Sequence, residues 1–286
     1  MMASKLPIDK LSFSALRSYM TSPAAFWRNY VLKQWDNFEK VSYLEGKALH
    51  RALETYYLGE GNELRNGLEL FTEGAKDLEP NAYGKKGSPE KSLENITLAW
   101  DNVLKAIDAG LIPNRKRLKI INVENPLMHK APGHEVPLKA TPDLVYAKGK
   151  KLYGRDWKKV STLSGVDEET GKVIVDPKYY MQAYFVGAVC EKEYEDALAE
   201  FTFTEIRPTK KADTVGVQNV TIKMGADWRQ QPEFMAVKHL INEMIEDIKY
   251  PRRYIPNVVD MMSGKDEWGL LLREYNHEGK AGGEED

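Results

Sequence analysis

The chain has 286 residues, of which 42% are hydrophobic and 29% charged, and its formal net charge is −2 at pH 7. This composition predicts one large folded domain and argues against a strongly basic protein that coats nucleic acid without specificity. The single cysteine, Cys190, excludes an internal disulfide and a four-cysteine metal or iron–sulfur site within this chain.

Targeting signals are not evident in the sequence. Residues 1–5 carry no long apolar segment of the signal-peptide type, and no apolar run approaches the length of a membrane span. We therefore expect a cytoplasmic protein without a membrane partner, in the host cytoplasm if it is encoded by a phage.

Helical periodicity dominates the first hundred or so residues. Ser12 is a predicted N-cap of a first helix, and Pro23 separates it from a second. Apolar residues at helical spacing predict further helices over residues 43–57, 64–76 and 90–109. We therefore assign residues 1–115 to a helical region that packs on a core.

Strand patterns begin at Leu118. Alternating residues predict strands over residues 118–126, 138–161, 199–207 and 217–224. Helices are predicted from Pro177 to about residue 189 and over residues 228–248. This order predicts an α/β or α+β fold with a central mixed sheet of about four or five strands flanked by helices. Residues 116–250 form the predicted core, and residues 251–286 a C-terminal extension with an acidic, flexible tail, all within one compact domain.

The segment at residues 138–161 carries the strongest functional signal. Pro142-Asp143 is followed on the next predicted strand by Asp156-Trp157-Lys158, across a polar turn at residues 148–150. A hairpin of this kind brings two carboxylates and a lysine to one end of a sheet. Two carboxylates bind a hard divalent cation, and a lysine beside them orients the attacking water. The pattern therefore suggests a metal-dependent nuclease that hydrolyses phosphodiesters.

The motif alone leaves structural alternatives open. A solvated hairpin whose acids pair with lysines has the same pattern, with Asp143 as a turn cap and Lys158 on the surface. The triplets at residues 45–47 and 176–178 also match its second half, but they fall in a predicted helix and at a predicted helix start. Only Asp156 lies in an alternating strand that follows another acid-bearing strand.

Four segments in the same order resemble the RecB-like branch of the PD-(D/E)xK nuclease superfamily, most of all phage-type exonucleases of the RecE and genome-maintenance kind. The segments are LSFSALRSYMTSPAAFWRNY, EGKALHRALE, TPDLVY…GRDWKKVS and KYYMQAYFVGAV, over about residues 11–190. The resemblance implies a restriction-endonuclease-like core with a helical N-terminal elaboration. The chain departs from the relatives in lacking a clean Q-x-x-x-Y pattern and the cysteines of an iron–sulfur cluster, so no such cluster is expected.

The resemblance also implies roles for individual residues. The expected metal ligands are Asp143, Asp156, His50, Glu124 and the carbonyl of Trp157. Lys158 is expected to hold the attacking water, and Gln182 to reach from its helix toward that lysine or the DNA backbone. Candidate DNA contacts are Tyr184, Ser14 and Arg17. Mg²⁺ is the expected cation because oxygen ligands dominate, and one histidine would also suit Mn²⁺.

Ordinary structural roles stay open for three of these residues. His50 in an amphipathic helix fits a core or surface histidine, and Glu124 fits a cap of the Asn125-Pro126 turn. Tyr184 at helical spacing fits a core aromatic residue.

These features predict a Mg²⁺-dependent deoxyribonuclease of the exonuclease type, which acts on linear duplex or single-stranded ends in phage or bacterial recombination, repair or DNA degradation. The alternatives are a sequence- or structure-specific endonuclease of the same superfamily and an inactive DNA-binding module with this fold. A single-strand annealing protein and further copies of the chain are partners that the resemblance suggests and the residues do not decide.

Overall fold

The computed structural model describes residues 6–34, 40–76, 78, 80–83, 87–130, 133–210 and 216–249. The C-terminal extension predicted at residues 251–286 lies outside these ranges, and the division at residue 115 stays a prediction. Within the described ranges, no helix combines the length and apolar character needed to cross a bilayer.

The N-terminal region is helical, as its periodicity predicts. Ser12 and Ser22 cap the first two helices, since their hydroxyl oxygens accept the backbone N–H groups of Ala15 and Ala25 at 3.3 and 3.1 Å. The second helix continues into a π-helical turn at Trp27–Val31. The helices are α1 (Phe13–Thr21), α2 (Pro23–Phe26), α3 (Val41–Leu58), α4 (Glu63–Gly74) and α5 (Pro89–Asp108).

The rest of the described chain alternates between strands and two long helices. The helices are α6 (Pro177–Tyr194) and α7 (Pro232–Lys249). The strands are β1 (Leu11–Ser12), β2 (Lys119–Val123), β3 (Leu127–His129), β4 (Leu138–Ala140), β5 (Leu144–Lys148), β6 (Lys151–Lys159), β7 (Leu198–Ile206) and β8 (Val217–Lys223).

The main sheet has five strands in the order β2-β5-β6-β7-β8. Strands β6 and β7 are parallel and are connected through α6, whereas the other neighbours are antiparallel. The prediction of a central mixed sheet flanked by helices is therefore confirmed. A second, three-stranded sheet of order β1-β4-β3 was not predicted, because its strands of two or three residues are too short to show a period.

The prediction of one continuous strand from residue 138 to the turn at residues 148–150 is wrong. Strands β4 and β5 belong to different sheets, and the chain leaves the extended ladder between them at residues 141–143. Pro142 explains the break, because proline has no backbone N–H to give to a strand ladder. The break places Asp143 directly in front of β5, at the end of the main sheet.

Helices cover both faces of the main sheet and fix the position of that end. On one face, α6 and α7 bury an aromatic core that includes Phe185, Phe203 and Phe234. On the other face, α3 and α5 enclose a core around Trp157 and Leu53. Strands β2 and β6 finish at the end of the sheet where β5 begins. This end lies between α3 and α6, so side chains from both helical layers can meet there.

Candidate active site

Asp143 is held at the sheet end by the neighbouring strand. Its carboxylate Oδ2 accepts the backbone N–H of Trp157 at 2.6 Å, and the residue is 5% exposed. Leu144 pairs with Arg155, so the start of β5 faces the second half of the motif on β6. The hairpin thus brings the two halves of the motif together.

Asp156 and Lys158 lie two residues apart on β6 and share one face of the sheet. The carboxylate Oδ2 of Asp156 is 2.5 Å from the Lys158 ammonium, and its Oδ1 accepts the Gln182 side-chain N–H from α6 at 2.5 Å. Lys159 points to the opposite face, where its ammonium lies 2.5 Å from Glu45 on α3. The alternation therefore gives the two lysines separate partners.

His50 reaches the same place from α3, on the other face of the sheet. Its Nε2 lies 2.8 Å from the Trp157 carbonyl oxygen, while Nδ1 lies 3.2 Å from Glu124 Oε1 and 3.5 Å from Asp143 Oδ2. When Nε2 carries the proton, it donates to the carbonyl and leaves Nδ1 directed at the two carboxylates.

Glu124 follows β2 in a left-handed backbone conformation, with φ of 52°. Its N–H donates to the carbonyl oxygens of Pro142 and Asp143 at 3.2 and 3.3 Å. Non-glycine residues adopt this conformation at an energetic cost of about 1–3 kcal/mol, and such residues cluster at functional sites. Glu124 thus combines a strained conformation with backbone contacts to the motif and a side-chain contact to His50. This combination favours a functional role for Glu124 over that of a simple turn cap.

The side chains at this end fit a divalent cation. His50, Glu124 and Asp143 each offer one ligand atom, and these atoms lie within 4.8 Å of one another. Asp156 Oδ2 is buried beside the Lys158 ammonium, and a carboxylate oxygen has more than one lone pair, so it can also bind a cation. Carboxylate oxygens and imidazole nitrogen are ligands that Mg²⁺ and Mn²⁺ accept. In this arrangement the Trp157 carbonyl is already engaged by His50.

Electrostatics favour a cation at the same point. Burial raises the pKa of the Asp143 carboxyl well above its usual range, and repulsion from Asp156 adds to this. Burial opposes protonation of His50, but the charges of Asp143, Glu124 and Asp156 outweigh it and raise the pKa of His50 to about 9. Crowded, desolvated carboxylates that attract protons also attract metal ions.

Lys158 keeps its charge in this setting. Burial lowers the pKa of its ammonium, but the charges of Asp156 and Asp143 outweigh burial and leave the pKa raised. The charge of Arg17 on α1 opposes this weakly and lowers the pKa of Lys158, so Arg17 acts electrostatically on the site. Ser14 and Arg17 are both exposed on α1, where they are accessible to a substrate.

Tyr184 is buried and not accessible to DNA, which contradicts its expected role as a DNA contact. The residue is 2% exposed, and its hydroxyl is 2.7 Å from His134 Nε2. Its ring packs edge-on against Trp228 with the centroids 5.4 Å apart. The alternative role in the core, which helical spacing of aromatic residues favours, is therefore the one that the structure shows.

A buried carboxylate that the sequence analysis missed supports the site. Glu205 on β7 pairs in register with Lys158 and is 3% exposed. It accepts the backbone N–H and the hydroxyl of Ser164, and the hydroxyl of Tyr179, each at 2.6 Å. These bonds fasten the loop after β6 and the first turn of α6, the helix that carries Gln182. The signal was a glutamate on the apolar face of the AEFTFTEIR alternation.

Replacing Glu205 with alanine is expected to lower the free energy of unfolding by about 3 kcal/mol, because three donors lose a charged acceptor and one of them, the Tyr179 hydroxyl, is buried. Urea denaturation monitored by circular dichroism measures the change. Glu200→Ala on the same strand is the matched control, since its contact with Lys223 is a surface ion pair at 3.3 Å, worth at most about 1 kcal/mol. Equal losses in the two variants would contradict a supporting role for Glu205.

Comparison with known proteins agrees with this geometry. The family model of the PD-(D/E)XK nuclease superfamily matches residues 10–257. The chain therefore belongs to the PD-(D/E)XK nuclease superfamily, whose members use divalent metals, and it is a nuclease by this membership. The RecB-like branch and the phage-type relatives stay predictions.

One solved structure supports the fold. A Eubacterium rectale protein described as a "putative exonuclease" superposes with a TM-score of 0.54 at 11% sequence identity, over 87% of this chain and 84% of that chain. At this identity the likeness concerns the fold alone. The structure of SSO0001 covers 82% of both chains at 12% identity, but its TM-score of 0.30 carries no argument. No curated protein sequence matches the chain significantly.

Proposed function

We propose that the protein is a Mg²⁺- or Mn²⁺-dependent deoxyribonuclease that removes nucleotides from the ends of linear DNA. The observation that carries the proposal is the meeting of His50, Glu124 and Asp143, with ligand atoms within 4.8 Å of one another. Asp156 and Lys158 lie beside them on β6, 2.5 Å apart. A purely structural set of acids would gain little from such crowding, because burial of several mutually repelling carboxylates is costly.

Each residue has a role in this proposal. Asp143, Asp156, Glu124 and His50 hold the cation, which when bound supplies Lewis-acid stabilisation of the phosphate charge and activation of water. Lys158, which stays protonated, orients the attacking water and offsets the charge that develops on the phosphate. Gln182 fixes the rotamer of Asp156 through its side-chain N–H.

DNA and an exonuclease mode are supported by less direct features. The resemblance to RecE-like enzymes favours DNA over RNA, and the structural neighbour from Eubacterium rectale is described as a "putative exonuclease". The exposed cation of Arg17 on α1 borders the site and suits a phosphate backbone. Residues of α1 and α6 line a cleft that includes Gln182, the partner of Asp156, and such a cleft favours entry of a strand end.

Digestion of end-labelled linear DNA with Mg²⁺, next to a covalently closed circle, tests this function. We expect the wild type to degrade the linear DNA and to leave the circle intact. Lys158→Ala should be slower by about a hundredfold or more, because it removes a fixed charge at the reacting phosphate. Lys151→Ala is the matched control, since Lys151 is an exposed lysine at the opposite end of the same strand.

The outcomes separate the alternatives. Cutting of the circle would indicate an endonuclease of the same superfamily. Equal rates for the wild type and Lys158→Ala would remove the catalytic assignment, and binding of DNA without cleavage in any divalent cation would indicate an inactive binding module.

A further inference from the structure

A cleft of about 410 Å³ opens beside the carboxylates, between the start of α1, the π-helical turn and β4. Gln182 belongs to both places, because it lines the cleft and donates its side-chain N–H to Asp156. Lys139 also lines it, on β4 and four residues before Asp143. The cleft therefore continues directly from the proposed point of cleavage.

The charge of the cleft suits an anion. Three lysines line it, Lys10, Lys33 and Lys139, against one acid, Asp9. Asp9 lies 3.9 Å from Lys10 and so offsets one of the three charges. The remaining positive charge in a partly enclosed space attracts a phosphate group.

Aromatic rings form another part of the wall. Phe13 and Tyr30 are both half-buried residues of the lining. Tyr30 stacks on Phe26 with the centroids 5.5 Å apart and the planes 16° from parallel, which holds its ring in place. Aromatic side chains bind nucleobases by stacking without regard to sequence, and lysines beside them bind the backbone.

We propose that this cleft binds the terminal nucleotide of the strand being cut, in an unpaired state. The phosphate contacts Lys33 and Lys139, and the base packs against Phe13 and Tyr30. The volume lies in the range of small-molecule sites, roughly 300–1,000 Å³, which suits a single nucleotide. The last base pair of a duplex then has to open before cleavage. This inference rests on the proposed function and adds the substrate class of that site.

Equilibrium binding of deoxyadenosine 5′-monophosphate to the full chain, in the presence of EDTA, tests the cleft without catalysis. The double variant Lys33→Gln/Lys139→Gln is expected to bind this nucleotide about tenfold more weakly, because two charged contacts to phosphate are lost. Lys148→Gln, an exposed lysine at the far end of β5, should bind like the wild type. Deoxyadenosine and inorganic phosphate as separate probes should each bind more weakly than the nucleotide.

The aromatic wall is tested by Tyr30→Leu, which should weaken nucleotide binding by about tenfold and leave the binding of inorganic phosphate unchanged. Phe13→Leu serves the same purpose if the first variant does not fold by circular dichroism. Unchanged nucleotide binding in the lysine double variant, or an equal loss in Lys148→Gln, would overturn the inference.

Cleavage assays on the same proteins keep the two proposals apart. Lys158→Ala should lose cleavage and retain nucleotide binding, and the lysine double variant should raise KM for linear DNA more than it lowers kcat. A protein that cleaves linear DNA but does not bind the nucleotide would overturn the proposed role of the cleft and leave the proposed function intact. A protein that binds the nucleotide but cleaves no DNA would overturn the proposed function.

Discussion

Replacing Asp156 with asparagine is expected to slow DNA cleavage by roughly a thousandfold or more, which corresponds to several kcal/mol of lost charge stabilisation. The change keeps the shape of the side chain but removes the charge that lies 2.5 Å from the Lys158 ammonium. It also removes a carboxylate from the proposed set of metal ligands. Initial rates on linear DNA at saturating Mg²⁺ measure the effect.

Asp176→Asn is the matched control for this change. Asp176-Pro177-Lys178 reads like the second half of the motif, but Asp176 caps α6 by accepting the N–H of Lys178 at 2.9 Å. Asparagine is an equally good N-cap, so we expect a change of less than about twofold. Similar rates for the two variants would show that the second half of the motif does not act where we place it.

The second large effect concerns Asp143. Replacing it with asparagine is expected to abolish cleavage and yet raise the free energy of unfolding of the metal-free protein near pH 7, by at least about 1 kcal/mol. Asparagine keeps an oxygen that can accept the Trp157 N–H, whereas the burial of a charged carboxylate is avoided. Function and stability are therefore opposed at this residue.

The sign of this effect follows from the raised pKa of Asp143. The folded state resists ionisation of this carboxyl while the unfolded state ionises it freely, so the wild type loses stability as the pH rises above the ordinary pKa of aspartate. The gain of the asparagine variant should therefore be small at pH 4 and present at pH 7.5. Urea unfolding with EDTA at the two pH values measures it, and a variant that is less stable at both would contradict the crowding of charges.

Added Mg²⁺ should make the wild type more stable than the Asp143→Asn variant, which reverses the order of their stabilities. A cation that binds the folded wild type stabilises it by mass action, whereas the variant lacks one ligand and gains less. Melting curves of both proteins with and without Mg²⁺ record this. An equal Mg²⁺ effect on both proteins would indicate that the cation binds elsewhere.

The sequence predicted the parts of the site that local rules decide. Alternation on a strand separates Lys158 from Lys159, and the hairpin turn places Asp143 near Asp156. Pro142 also indicated that the strand is interrupted between β4 and β5, because proline cannot donate a backbone N–H to a strand ladder, but the strand prediction did not take this into account. The central sheet could also be predicted from local patterns, because its strands are long enough to show a period.

Contacts between residues that are distant in the sequence could not be predicted from these local rules. His50 and Trp157 are 107 residues apart and meet only because α3 packs on the sheet beside β6. The resemblance to known nucleases proposed each of the two residues as a metal ligand but did not predict their contact. The left-handed turn at Glu124 and the burial of Glu205 depend on neighbours from other elements, which no local pattern encodes. For Tyr184 the helical spacing of aromatic residues favoured the core, where the residue lies, and only the resemblance suggested a DNA contact.

The central claim is that the end of the main sheet binds a divalent cation between Asp143 and Asp156. Crystals of the protein grown with Mn²⁺, with anomalous diffraction recorded at the manganese edge, test it most directly. We predict an anomalous peak at about 2.0–2.6 Å from a carboxylate oxygen of each residue, with His50 or Glu124 as a further ligand. Manganese bound at another place in a protein that cleaves DNA, or no peak at saturating Mn²⁺, would contradict the account.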